Sequence, residues 1–238
     1  MPDFRTRSHA LEIMDDLSCS GEVVHQTLRE LDFINQWLGG NAVTLSGINQ
    51  LLNQQRALPD KLHLADMGCG SGDLLRILHA KYSRLIPGIQ LEGIDANEHI
   101  TSFARQHLRE FSNISIQTEN IFDPKARKRS YDIITATLFL HHFSDNELSD
   151  ILCSWKQQAR IGIVINDLHR HPLAYHSIRY LTRWFSNSSM VKYDAPLSVL
   201  RGFSEEEWRS ILNKAGITNY RLVWRWAFRW QLIIPTAL

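Results

Sequence analysis

The period of the apolar positions changes twice along the chain, and those changes divide it. Val24, Leu28, Leu31, Ile34 and Leu38 recur at close to 3.6 residues and are followed by Gly39-Gly40, which predicts an amphipathic helix with a glycine stop. A short helix is predicted over 45–55, so that residues 1–56 read as helices only, ended by Pro59-Asp60. From Leu62 onward short apolar runs alternate with helical patterns. Strands are predicted at 62–65, 90–94, 114–118, 132–137 and 161–166. Helices are predicted over 73–82, over the stretch bearing Ile100, Phe103, Ala104, His107, Leu108 and Phe111, and after the capping boxes that begin at Ser144 and Ser204. From Leu222 to Trp230 the period becomes two, with Leu, Trp, Trp, Phe and Trp at even positions and Arg221, Arg225 and Arg229 among the odd ones. This predicts an edge hairpin with one face packed and the other solvated.

Repeated βα units followed by two strands with no helix between them predict an α/β fold: a doubly wound, mostly parallel sheet with an antiparallel hairpin at one edge. Three regions follow: an N-terminal helical cap over 1–58, a main domain over 59–238, and within it an insertion at 168–203, far longer than the two to about six residues usual for loops of such folds. The insertion carries a predicted helix at 173–185 with Tyr180, Leu181, Trp184 and Phe185 as apolar anchors, then a break at Asn187-Ser188-Ser189. Cap and insertion together are expected to cover the ligand-binding end of the sheet and exclude water.

Composition narrows the partners. With 238 residues, 44% of them hydrophobic, and a net charge of +1, a sizeable core is possible and no polyanion is called for, so nucleic acid is not an expected partner. Cys19, Cys69 and Cys153 are odd in number and lack CxxC spacing, which points away from disulfides and zinc and toward a reducing, cytoplasmic location. No apolar run approaches the ~20 residues of a membrane span, and the first residues carry acids where a secretory signal would be apolar, so no stable membrane insertion is expected.

The chemistry begins at Gly68-Cys69-Gly70-Ser71-Gly72, between a predicted strand and a predicted helix, where glycines allow positive φ and close ligand approach. The third glycine falls one position early for a dinucleotide GxGxxG loop, and Asp73 occupies the later slot. An acid there disfavours a pyrophosphate and suits a ligand with a zwitterionic amino-acid end and a cationic centre. Asp66 at the strand end can meet an ammonium, and Asp95 at the end of the next strand sits where an acid accepts both ribose hydroxyls.

In sequence, LADMGCGSG, LEGIDAN, TENIFD and YDIITATLFLHHF resemble the successive motifs of class I S-adenosylmethionine (SAM)-dependent methyltransferases across residues 62–235. The chain is also similar to the ubiquinone/menaquinone-type small-molecule enzymes. The segments EIMDD, LRELDFINQWLGG and NDLHRHPLAY resemble a bacterial subgroup found beside type III polyketide synthases. The resemblance implies a Rossmann-like seven-stranded sheet, SAM as cofactor and a small-molecule acceptor. It implies cofactor contacts at Asp66, Gly68, Cys69, Gly70, Gly72, Asp95 and Ala96, with Asn120 at the adenine amino group, Ile121 beside the ring, and Thr137 and Leu138 lining the pocket.

Methyl transfer is dominated by alignment, but a phenolic acceptor with a pKa near ~10 benefits from an imidazole base. His141 and His142 follow the strand at 132–137, and His169 and His171 follow the one at 161–166, with Asp167 between. Asp167 orienting His169 is the preferred base arrangement, and His142 is the other candidate. No metal is expected: Asp167, His169 and His171 can face one way, yet no second acid-rich element accompanies them. The expected activity is O-methylation of a phenolic or polyketide-like acceptor. Carbon methylation of a quinone precursor and a non-catalytic SAM-fold binding protein are the alternatives.

Overall fold

Unbroken apolar runs in a strand signify a sheet covered on both faces. The computed structural model, which describes residues 2–236, has such a sheet. Its strands are β1 (Lys61–Met67), β2 (Gly88–Asp95), β3 (Ile114–Thr118), β4 (Tyr131–Thr137), β5 (Ala159–Leu168), β6 (Arg221–Arg225) and β7 (Arg229–Pro235), in the order β3-β2-β1-β4-β5-β7-β6. The first five run parallel, and β7 is antiparallel to both of its neighbours. The strand order reverses between β1 and β4, which opens a crevice at their carboxyl ends.

Helices close both faces. On one, Ile48 and Leu51 of α2 (Gly40–Asn53) and Leu75 and Leu78 of α3 (Asp73–Tyr82) pack on Leu64, Ile133 and Val164. On the other, Leu152 and Trp155 of α5 (Asp145–Gln158) and Trp208 and Leu212 of α8 (Glu205–Lys214) pack on Ile134, Ile163 and Leu232. Each fully buried leucine or isoleucine contributes roughly 1.5–3 kcal/mol. Both predicted capping boxes form: Ser144 with Glu147 starts α5, and Ser204 with Glu207 starts α8. α4 (Glu98–His107) is capped by Asn97, whose side chain accepts from the backbone of His99 and Ile100.

A second layer lies over the crevice. Val24 and Leu28 of α1 (Glu22–Trp37) form a small core with Ile100 of α4 and with Met190 of α7 (Ser189–Arg201). A single 3₁₀ turn, Ile13–Asp15, is held down by Asp194 of α7, which accepts from the backbone of Ile13 (2.8 Å) and Met14 (3.2 Å).

Several expectations need correction. Residues before Gly21 are irregular apart from that one turn, and α2 starts at Gly40 rather than 45. Ile48 and Leu51 of α2 pack against Val164 of β5 and Ile233 of β7. The insertion contains two helices, α6 (Pro172–Phe185) and α7; Ser188, within the expected break, caps α7 by accepting from Val191. Tyr180, Trp184 and Phe185 are exposed (63%, 77% and 82%), so they do not anchor α6, which buries Ala174 and Thr182 instead. Finally, the two-residue alternation at the C-terminal end runs across a turn. Ala227 and Phe228 have φ of 60° and 54°, β7 begins after them, and Arg229 is buried rather than solvated. Among the described residues no helix is long and apolar enough to cross a membrane.

Candidate active site

The glycine loop joins β1 to α3 at the crevice, and its backbone explains its composition. Gly68, Gly70 and Gly72 have φ of 69°, 53° and 80°, a region that only glycine enters without strain. A Cβ at Gly72 would strike Leu108, and one at Gly68 would lie within the ring of Phe139. Above Gly70 the only heavy atom within reach is Leu28 Cδ2 at 3.8 Å, so the middle of the loop faces open space beneath α1. The loop is tied to β2: Gly68 and Cys69 N–H donate to the carbonyl of Ile94, and Gly70 N–H donates to Asp95 Oδ2 at 3.3 Å.

Acids surround this space. Asp66 is 3% exposed and accepts a hydrogen bond from Thr135 (2.8 Å); burial, with Asp95 nearby, pushes its carboxyl up to about 7. Burial also raises Asp95, although the backbone N–H groups of Asn97 and Gly70 pull the other way. Asp32 of α1 was not singled out in the sequence, yet it faces the loop. Burial raises it to about 6, Ser71 lowers it by a hydrogen bond, and Asp73 repels it. Desolvated carboxyls with raised pKa values favour a cation among them. An open glycine cradle ringed by acids therefore fits SAM, whose ammonium and sulfonium are positive.

The other expected contacts are dispersed around this centre. Ala96 is half-buried beside Asp95. Thr137 is half-buried and shares a hydrogen bond with Thr44 of α2 (2.8 Å). Leu138 has φ of 54°, a strained conformation for a non-glycine residue, and donates its N–H to Asn166 O (2.8 Å). Asn120 is exposed, and its Oδ1 accepts from Phe122 N–H (3.0 Å), while Ile121 packs partly against the core. Cys69 is buried, and burial raises its thiol well above the usual range, so it is un-ionised.

The histidines pair differently from the expectation. Asp167 does not orient His169. Its Oδ1 meets His141 Nδ1 at 2.7 Å, and its carboxylate also accepts from the backbone of Leu140, His141 and Leu168. The reason is strand geometry: Asp167 shares a face of β5 with Ile163 and Ile165, toward the turn after β4, whereas His169 lies past the strand end. Burial raises Asp167, but the charge and hydrogen bond of His141 outweigh it and hold the carboxyl below its ordinary value. His169 Nδ1 instead accepts from Trp224 Nε1 (3.2 Å), and burial first, then His171 and Arg170, lowers its pKa.

His142 has the acid partner that His169 lacks. Its Nδ1 meets Asp15 Oδ1 at 2.5 Å, and Asp15 also bonds Arg201. Although burial works against it, hydrogen bonds from His142 and Arg201 hold Asp15 far below the usual carboxylate range. His142 is half-buried, and its Nε2 has no hydrogen-bond partner among the described residues. Glu12, His141 and His142 bring ligand-type atoms within 4.8 Å of one another. Arg201 Nη1 lies 3.6 Å from Glu12, however, and its positive charge opposes a metal cation there. Asp15 falls within the EIMDD segment, but nothing local in the sequence pairs it or Arg201 with His142, 127 and 59 residues away.

Residues 64–162 match a family model described as a methyltransferase domain. That span includes the glycine loop, Asp66, Asp95 and all of β4, and leaves out α1, α2, the insertion and the hairpin. No curated protein matches the chain by sequence. Among solved structures, it is similar to human N-acetylserotonin methyltransferase, solved with SAM (18% identity, 92% of this chain and 56% of that chain, TM-score 0.61). It is likewise similar to the plantazolicin methyltransferase BpumL, solved with S-adenosylhomocysteine (SAH) (15% identity, 91% and 95%, TM-score 0.63). A third is a SAM-dependent methyltransferase from Aquifex aeolicus (17% identity, 89% and 97%, TM-score 0.62). The chain spans about half to two thirds of the length of several structures it matches, the human enzyme among them. The fold is thus the Rossmann-like α/β fold of methyltransferases. The stretch 64–162 that matches a methyltransferase domain contains the acid-ringed glycine cradle.

Proposed function

We propose that this protein transfers the methyl group of SAM to an oxygen of a small aromatic acceptor, phenolic or polyketide-like, with His142 as the base. The observation that carries the reading is the loop of three left-handed glycines, open above Gly70 and ringed by Asp32, Asp66 and Asp95. Gly68, Cys69, Gly70 and Gly72 would hold the amino-acid end with Asp66, and Asp95 with Ala96 the ribose. Asn120 and Ile121 would meet the adenine, and Thr137 and Leu138 would line the wall. When bound, SAM supplies a methyl group on a positively charged sulfur, which an acceptor oxygen can displace.

The chain's own part is to align, to exclude water and to take a proton. α1 and α7 cover the crevice through Leu28 and Met190, which keeps water from the reacting atoms. Asp15, held ionised, fixes the N–H of His142 at Nδ1 and leaves Nε2 free to accept the acceptor's proton. The aromatic acceptor rests on the resemblance to small-molecule enzymes of quinone and polyketide chemistry, and on Phe139, whose half-buried ring stands against Gly68.

The test is incubation with methyl-labelled SAM and a panel of phenols, polyketide-like phenols and quinone precursors, followed by mass spectrometry of SAH and of the product. Stoichiometric SAH and an O-methylated phenol are expected. A carbon-methylated product would move the reading to the rival chemistry. Absence of SAH formation with every acceptor, together with absence of SAM binding, would remove the enzyme reading.

A further inference from the structure

A helix on the surface of a globular protein turns its large apolar side chains inward. α6 does the reverse: it buries Ala174 and Thr182 and exposes Leu173, Tyr180, Trp184 and Phe185. Leu173, Tyr180 and Trp184 lie at i, i+7 and i+11 and so share one side of the helix. α1 adds to the same surface. Its Val24 and Leu28 are buried over the crevice, while Phe33 and Trp37, on its other side, are exposed beside α6. These six side chains are between 63% and 82% exposed. Large apolar side chains gathered in the open on two neighbouring helices mark a contact with something outside the chain.

Between the two helices runs a surface cavity of about 510 Å³ lined by Phe33, Ile34, Trp37, Leu181 and Phe185. The polar groups along it are already engaged. Glu30 accepts from the Ser186 hydroxyl, from Asn187 N–H (3.1 Å) and from Gln26 (3.0 Å), and the Thr182 hydroxyl donates to the carbonyl of Ile178 (2.8 Å). Arg29 is paired with Glu22. A ligand rich in hydrogen-bonding groups would leave them unpaired here, whereas hydrocarbon would not. Charge narrows the occupant further. From Pro172 to Tyr193 the chain has no aspartate or glutamate. Arg179, Arg183 and Lys192 in that stretch are exposed and form no ion pair among the described residues. Arg179 and Arg183, at i and i+4, lie together beside the aromatic side of α6. Tryptophan, tyrosine and phenylalanine on one side of a helix with arginines alongside suit a membrane interface, where the rings sit at the level of the lipid headgroups.

We propose that α6 and the outer side of α1 form a docking face for an anionic lipid surface. The aromatic side chains enter the headgroup layer, an acyl chain occupies the cavity between the helices, and Arg179 and Arg183 meet lipid phosphates. The contact is peripheral, since among the described residues no helix is long and apolar enough to cross a membrane. The face belongs to α1 and the insertion, the elements that also cover the crevice, so docking would hold the candidate active site at the bilayer surface. The proposal stands on this surface alone and does not depend on the reaction proposed above.

The full chain is titrated with vesicles of phosphatidylcholine alone and of phosphatidylcholine mixed with phosphatidylglycerol, and bound protein is measured by flotation. Wild type should bind the mixed vesicles about tenfold or more tightly, as two basic residues at the surface predict, and added salt should weaken that binding. Trp184→Ser combined with Phe185→Ser should lower it by about tenfold or more. Arg179→Gln combined with Arg183→Gln should remove the preference for the anionic vesicles. Both variants should keep the wild-type melting temperature, because these side chains are exposed. Trp226→Ser, which removes another exposed tryptophan on the turn between β6 and β7, should bind as wild type does. Absence of vesicle binding by wild type, equal binding of the two vesicle types, or an equal loss in Trp226→Ser overturns the proposal. So does a wild-type dimer in sedimentation that Trp184→Ser with Phe185→Ser breaks while no vesicle is bound, which would assign the face to a second copy of the chain. SAM binding is titrated on the same proteins and should be unchanged, so failure of the cofactor reading is seen separately from failure of the lipid face.

Discussion

Asp167 with His141 and Asp15 with His142 are the same chemical pair, formed on adjacent histidines and placed in different surroundings. The first pair is closed off: Asp167 is fully buried, His141 is 3% exposed, and three backbone N–H groups complete the carboxylate. The second is half-buried, built on an irregular N-terminal segment, and leaves one imidazole nitrogen free. The sealed pair fixes the turn after β4, and the second imidazole nitrogen of His141 faces the buried Glu12 carboxylate at 3.6 Å. In the proposed reaction the half-open pair takes the acceptor's proton at its free nitrogen. A histidine beside an acid can serve as a base only where its second nitrogen can reach the proton it is to accept.

The largest expected effect breaks the sealed pair. Asp167→Ala leaves His141 and several N–H groups unpaired in the core and should cost about 3–5 kcal/mol of stability, read from urea unfolding. A loss below about 1 kcal/mol would mean that the pair does not hold the turn. Next, His142→Ala should lower turnover by about 100-fold while SAM affinity stays within about twofold, and Asp15→Asn should give a smaller loss in the same direction. Normal turnover in His142→Ala would return the base role to His169 or to none.

The pH dependence comes third and follows from opposite shifts. Asp15 and Asp167 lie below their ordinary values in the folded state, so their contribution to stability is present above about pH 4 and is lost as pH falls through their folded values. Asp66 and Glu12 are raised to about 7, so their contribution is present below about pH 4 and is lost as pH rises through 7. Cofactor-free protein should therefore lose stability between pH 5 and 7.5. If Asp66 meets the ammonium of SAM, affinity should rise about tenfold from pH 6 to 8 with release of a proton. A flat affinity with no proton release would separate Asp66 from the ligand. The smallest effect is that of His169→Ala, whose ring is engaged by Trp224: turnover within about twofold of wild type is expected.

The half of the molecule built from local patterns was legible in sequence. The β2–β1–β4 strands, the glycine loop, both serine capping boxes and Asp95 all follow from spacing within a few residues. The other half was not, because long-range contacts build it. Asp15 reaches His142 across 127 residues and Thr27 reaches Ser188 across 161, and neither pairing has a local signature. Arg229 misled for a related reason: its place in an alternating run marks it as solvated, but the turn at Ala227 and Phe228 resets which face points inward. Asp167 and His169 are near in sequence but do not pair, because the face of β5 sends Asp167 to the neighbouring strand's turn.

In the proposed reaction SAM binds in the glycine cradle with Asp95 on its ribose. Calorimetric titration of wild type and Asp95→Ala with SAM tests it most directly. Saturable binding by wild type is expected, with a loss of about 1–3 kcal/mol in the variant, the range for hydrogen bonds to a charged group. Equal affinity in the two proteins would contradict the placement, and absence of binding to wild type at millimolar SAM would contradict the claim itself.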